Sequence, residues 1–123
     1  MKILLVTKDF ELARNLKSIS LTGSYRTTFA FNSENVSQLL EKEHFDIVLT
    51  EWFMPELDGL ELTRLIRQKS LNIPIIMFIP EKDLEPAQNF ALSSGVTVCL
   101  SKRIVDLNTI LNTVNQYRKV NQL

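Results

Sequence analysis

The stretch IVLTEWFMPELDG, residues 47–59, ends an apolar run on a carboxylate, Glu51, and then breaks at Met54-Pro55 before restarting at Asp58-Gly59. This is the pattern of a loop that carries chemistry at the end of a strand. Two other apolar runs end in the same way. Ile3-Leu4-Leu5-Val6 is followed by Thr7, Lys8 and Asp9, and Val96 to Leu100 is followed by Ser101 and Lys102. Glu51 is therefore either a reactive carboxylate or the replacement for one. The choice depends on which of these strand ends lie side by side.

The elements that must position them follow from periodicity. Short continuous apolar runs at Ile3–Val6, Ile47–Leu49 and Ile75–Ile79 read as buried strands. Tyr25 to Phe31 alternates and is rich in Thr and Phe, as expected of an outer strand. Val96 to Leu100 is a fifth strand. Between them run helix-period segments. The first carries Leu12, Leu16 and Ile19 and closes at Gly23. The second carries Val36, Leu39 and Leu40, with Ser33 as its cap. The third carries Leu62, Leu65 and Ile66 after Gly59. The fourth carries Leu84, Ala87 and Ala91, capped by Asp83 and stopping near Gly95. The last is striped by Leu107, Ile110, Leu111 and Val114. Strands alternating with helices imply a parallel sheet covered on both faces. Right-handed crossovers leave few topologies. The expected one is a flavodoxin-like (βα)5 sandwich of strand order 2-1-3-4-5. In such a sheet the site lies beyond the carboxyl ends of the strands, so Thr7, Lys8, Asp9, Glu51, Trp52, Ile79, Pro80, Ser101 and Lys102 should share one rim.

Composition bounds the rest. The 123 residues suit one domain, 1–123, and 45% hydrophobic residues supply an ordinary core. Lys plus Arg and Asp plus Glu number 14 each, a balance with no electrostatic footprint for nucleic acid. No apolar run spans a bilayer, and MKILLVTKDF is not a signal peptide. The single cysteine, Cys99, excludes an internal disulfide and fits a reducing, cytoplasmic setting.

MPELDGLEL after a buried strand, NIPIIMFI on the fourth strand and ALSSG with CLSK into the fifth resemble the receiver domain of bacterial two-component response regulators. The likeness covers essentially the whole chain. The resemblance implies a phosphoacceptor Asp at position 51, a magnesium-holding acidic pair at 7 and 8, a Thr or Ser at 79, an aromatic at 99, and a Lys followed by Pro at 102 and 103. This chain has Glu51, Thr7, Lys8, Ile79, Cys99, Lys102 and Arg103 there. Of those seven positions the lysine alone keeps its type.

The replacements carry physical consequences. Magnesium takes oxygen ligands in octahedral geometry, including one or two carboxylates. Thr7 offers a neutral hydroxyl, and Lys8 puts a cation where the metal belongs, so magnesium binding is expected to be lost. Glu51 is one methylene longer than Asp, and about 1 Å of misplacement can cost about 100-fold in rate. Ile79 has no hydroxyl and Cys99 no ring. The expected arrangement is an ion cluster in which Glu51 contacts Lys102. A Glu51–Lys8 contact and a part for Asp9 are left open. With Arg in place of Pro at 103, the preceding peptide bond is expected to be trans, since cis costs ~2.5–4 kcal/mol before a non-proline residue.

Blander readings stand beside these. Asp9 caps the first helix, Asp58-Gly59 is a turn and helix start, His44 is a solvated loop residue, and Cys99 is a small strand residue. Trp52 is a partner anchor or a lid, and Arg103 is a second candidate partner contact. Asn108, Asn112, Thr113 and Asn115 form a weakly charged face, either solvent surface or a docking face. The leading functional reading is a signalling module, not an enzyme. It acts without phosphorylation and contacts a protein through the fourth helix, fifth strand and fifth helix. Self-association is left open, and neither nucleic acid nor membrane is expected as a partner. The alternative is a working phosphoacceptor with unusual residues. A remote one is a small FMN protein, which would need a glycine-rich phosphate loop that TKDFELAR lacks.

Overall fold

Within Lys2–Val6 the run Ile3–Val6 has no polar side to offer water, so the segment must lie inside a sheet. In the computed structural model, which describes residues 1–18, 24–54, 57–69, 72–104 and 106–121, it is β1, flanked by β2 (Arg26–Ala30) and β3 (Ile47–Glu51). A short antiparallel pair, β4 (Phe53–Met54) and β5 (Leu57–Asp58), follows β3. The sheet continues through β6 (Ile75–Ile79) to β7 (Val98–Ser101). Its order is β2-β1-β3-β6-β7 and all pairings are parallel. Counted within the sheet this is 2-1-3-4-5, the expected order.

Parallel neighbours require crossover helices. These are α1 (Phe10–Lys17), α2 (Ser33–Lys42), α3 (Gly59–Lys69), α4 (Glu81–Ser94) and α5 (Leu107–Asn121). The strand pleat divides the core between them. Phe29, Leu5, Leu49, Ile76 and Val98 stand in register across the sheet and pack with Ala13 and Leu16 of α1 and Ile110 and Val114 of α5. Leu4, Val6, Val48, Ile75, Met77 and Ile79 face the other way, onto Val36 of α2, Leu62 and Ile66 of α3, and Ala87 and Ala91 of α4. The central strands β1, β3 and β6 are buried almost throughout, which is why their sequences lack alternation.

Three expectations are corrected. Asn32, not Ser33, caps α2: its side chain accepts the Asn35 N–H at 2.8 Å, and Ser33 is already the first helical residue. Helix α4 begins at Glu81, two residues before Asp83, and has no side-chain cap. The Asp83 N–H instead donates to the Pro80 carbonyl at 2.9 Å. The early start leaves Pro86 inside the helix, with no N–H for the Lys82 carbonyl. Strand β7 begins at Val98, because Val96 belongs to the stop of α4. Gly95 takes φ 114°, its N–H donates to the Leu92 carbonyl, and the Val96 N–H returns to the Ala91 carbonyl. Ile19, Gly23 and Pro55, which the sequence reading used, lie outside the described residues.

Candidate functional site

Parallel pairing of Val6 with Thr50 carries Thr7 up to the level of Glu51, the last residue of the neighbouring strand. The Thr7 hydroxyl donates to Glu51 Oε2 at 2.6 Å. Thr7 is fully buried, and only 4% of the Glu51 side chain is exposed. From the end of β7, the Lys102 ammonium donates to Glu51 Oε1. It also lies 3.5 Å from Asp9 Oδ2. Asp9 turns its other oxygen to α1, where Oδ1 accepts the Glu11 and Leu12 N–H groups, each at 3.1 Å. The Asp9 N–H donates back to Thr7 Oγ1 at 2.9 Å. The ends of β1, β3 and β7 and the start of α1 are thus joined through one hydroxyl, one ammonium and two carboxylates.

Each group is committed. The Thr7 hydroxyl donates once and accepts once, and every carboxylate oxygen of Glu51 and Asp9 has a donor or a cation beside it. Burial alone would pull the Lys102 pKa down. The hydrogen bond and charge of Glu51, then those of Asp9, outweigh it and hold the pKa above its ordinary value. The Leu12 N–H, then the charge of Lys102, holds the Asp9 carboxyl below its own, against the effect of burial. Among the described residues no cluster of three or more His, Cys, Asp or Glu side chains converges as a metal site.

The neighbouring loop is built around a close approach. The Trp52 N–H donates to the Phe78 carbonyl, and the Trp52 carbonyl accepts the Gly59 N–H at 2.7 Å. A Cβ on Gly59 would stand 2.3 Å from the Glu51 carbonyl oxygen, so the glycine of LDG is required by space. Asp58 caps α3 by accepting the Leu60 and Glu61 N–H groups. It is the helix start the sequence reading expected.

The remaining candidates fall into place around this cluster. Lys8 lies between Thr7 and Asp9 and is partly buried. Ile79 is fully buried opposite Ser101. Cys99 is half-buried against the core, and burial pushes its thiol pKa up, away from thiolate chemistry. Trp52 is partly buried against the same core face. Arg103 is exposed, and its Nη1 donates to Glu81 Oε2 at 2.7 Å. The peptide bond before Arg103 is trans. His44 is exposed, 3.5 Å from Asp46 Oδ1. On α5, Asn108 and Asn112 are exposed, but Asn115 accepts the Tyr25 hydroxyl at 2.6 Å and is part of the packing.

Sequence reasoning missed three things here. By type Thr7 is a defective ligand, yet it is the donor to Glu51, and the register of adjacent strand ends is enough to place it there. The Glu81–Arg103 pair was not foreseen, because it depends on where α4 starts. Nor was the role of Arg67, whose guanidinium spans the Gly95 carbonyl, the Ile73 carbonyl and the Thr97 hydroxyl, tying α3 to the loop before β7.

The family described as response regulator receiver domain matches residues 3–115. The sensor histidine kinase RcsC of Escherichia coli K12 is 34% identical over 116 residues, which is 94% of this chain and 12% of the length of that protein. The receiver domain of the Francisella response regulator 1452 superposes with a TM-score of 0.84 at 26% identity, covering 98% of both chains. The receiver domain of the sensor histidine kinase PA1611 from Pseudomonas aeruginosa PAO1 superposes with a TM-score of 0.80 at 22% identity, covering 94% of this chain and 95% of that one. That structure holds a magnesium ion coordinated in its active site cleft.

Proposed function

This chain belongs to the response regulator receiver domain family, and from that premise we propose that it is a receiver whose Glu51 does not accept phosphate and which signals through protein contacts alone. The observation that carries this reading is the commitment of Glu51. Its two oxygens are held by Thr7 and Lys102 inside the rim, the space an acyl phosphate and a metal would need. Phosphoryl transfer relies on positioning and on neutralising charge, with little covalent help from the protein. Here the carboxylate is already neutralised by Lys102. The donor set does not fit magnesium: Thr7 is neutral, Lys8 is a cation, and Asp9 spends one oxygen on a helix cap and the other on Lys102. The domain is then an adaptor without catalytic activity or cofactor. The start of α1 also argues against a flavin phosphate, since the Asp9 carboxylate takes the N–H groups that an anion would use.

The partner, on this reading, is a protein that docks on α4, β7 and α5. Phe90 and Leu92 of α4 are exposed on different sides of that helix, and Arg103 pairs with Glu81 at its first turn. Among the described residues no helix is long and apolar enough to cross a membrane. A cytoplasmic site of action is part of the proposal. The kinase activity of relatives such as RcsC is not carried over, because the chain spans 12% of that protein's length.

The test is exposure to acetyl phosphate, and separately to beryllofluoride, in millimolar magnesium. The expected result is no added phosphoryl group by intact mass and no change in Trp52 fluorescence. A phosphorylated Glu51, or a magnesium-dependent fluorescence change with beryllofluoride, would establish the working phosphoacceptor instead.

A further inference from the structure

Lys102 and Arg103 are consecutive residues of one 3-10 turn, Lys102–Ile104, yet they reach opposite sides of the rim. Lys102 crosses to Glu51 and Asp9. Arg103 reaches Glu81, the first residue of α4. The Arg103 N–H donates to the buried Ser101 hydroxyl at 3.3 Å, which fixes the turn to the end of β7. Side chains one position apart on a 3-10 turn diverge by about 120° because there are three residues per turn. A rotation of the turn therefore cannot move one of these cations without moving the other. Ile79 and Cys99 offer no polar path of their own from Glu51 to α4.

We infer that Ser101, Lys102 and Arg103 form a strap that couples Glu51 to the first turn of α4 through the Arg103–Glu81 ion pair. The inference rests on the reading of Glu51 as a permanent partner of Lys102, and it states how that partnership reaches the docking face. The two ends of the strap differ in environment. Glu51 is almost fully buried, whereas the Arg103 and Glu81 side chains are 74% and 52% exposed. Exposed pairs shift an opening equilibrium by at most about fivefold. They are also screened by salt, while buried pairs are screened much less. The coupling is therefore modest and salt-sensitive, and the Glu51 end persists when it is lost.

Amide hydrogen exchange on the whole chain tests this, read at Asp83, whose N–H donates to the Pro80 carbonyl in the first turn of α4. Glu51→Gln and Arg103→Gln should each speed exchange at Asp83 by about two- to fivefold, within the range of an exposed pair. The double variant should add nothing further, because both act along one path. Arg103→Lys should behave like the parent, and about 0.5 M salt should erase the differences. Additive effects, or a Glu51→Gln response confined to Thr7, Asp9 and Trp52, would overturn the strap. If Glu51→Gln does not fold, Glu81→Gln supplies the reverse reading: the Glu51 carboxyl resonance should shift, and an unmoved resonance sinks the inference. Phosphorylation is assayed on the parent chain and does not depend on Arg103. Loss of the strap therefore leaves the functional reading standing, and a phosphorylated Glu51 would defeat that reading whatever the exchange data show.

Discussion

Glu51 is a buried charge whose cost is met by two specific partners, Thr7 and Lys102. Removing either leaves a polar group buried without its bond. Thr7→Val keeps the shape of the side chain but takes the hydroxyl from Glu51 and the acceptor from the Asp9 N–H. The expected loss of stability is about 1–3 kcal/mol, the range for a buried group left unsatisfied. An unchanged denaturation midpoint would show that Glu51 does not depend on the hydroxyl. The two shifted groups also predict opposite pH dependences. The Lys102 pKa is raised on folding, so its contribution is fully present below the ordinary value of 10.5 and is lost as pH rises through the higher folded value. The Asp9 pKa is lowered, so its contribution is present above 3.8 and is lost as pH falls through the lower folded value. Lys102→Met should therefore flatten the alkaline limb of a stability–pH curve, and Asp9→Asn the acid limb. The reverse assignment would contradict the ion cluster.

At the scale of elements, local signals compete and geometry chooses. Asn32 and Ser33 are both good N-cap types and stand side by side. Asn32 has the extended backbone, φ −158° and ψ 170°, that lets its side chain turn back onto the Asn35 N–H. Asn32→Ala should cost about 1 kcal/mol, the usual loss of a cap, and Ser33→Ala close to nothing. Thermal unfolding of the two variants decides it, and equal losses would mean that the helix start is shared between them. By residue type alone Asp83 is a good cap for α4. The chain instead starts α4 directly after Pro80 and accepts Pro86 in its interior. The early start also brings Glu81 into reach of Arg103.

At the scale of the whole molecule, the sheet and the rim are energetically separate. Each fully buried Leu, Ile or Phe contributes about 1.5–3 kcal/mol, and such residues fill both faces of the sheet. No single rim contact approaches that total. The chemistry at the strand ends can therefore change while the sandwich stands. It also follows that one substitution will not bring the chemistry back. Glu51→Asp alone should remain unreactive toward acetyl phosphate with magnesium, because Thr7 and Lys8 still supply no anionic oxygen for the metal. The combination Thr7→Asp, Lys8→Asp and Glu51→Asp should bind magnesium, as judged by titration. Phosphorylation of the single variant at a rate equal to the combined one would show that the metal positions matter less than the length of the acidic side chain.

The sequence by itself determined the layered fold. Continuous apolar runs alternating with helix-period stripes admit very few parallel sandwiches, and crossover handedness removes most of those. It also determined the membership of the rim, because strand ends share an edge whatever their residues. The Glu51–Lys102 contact was expected from the sequence too; tertiary structure alone decided that Lys102 also lies beside Asp9. Lys102 stands 51 positions beyond Glu51 and 93 beyond Asp9 in the chain. No local pattern shows that this ammonium will lie between both carboxylates. That outcome depends on the stagger of β7 against β6 and β6 against β3, and on the one-turn helix that aims Lys102 inward and Arg103 outward. These are settled by the packing of the whole sheet, after every local preference has been met.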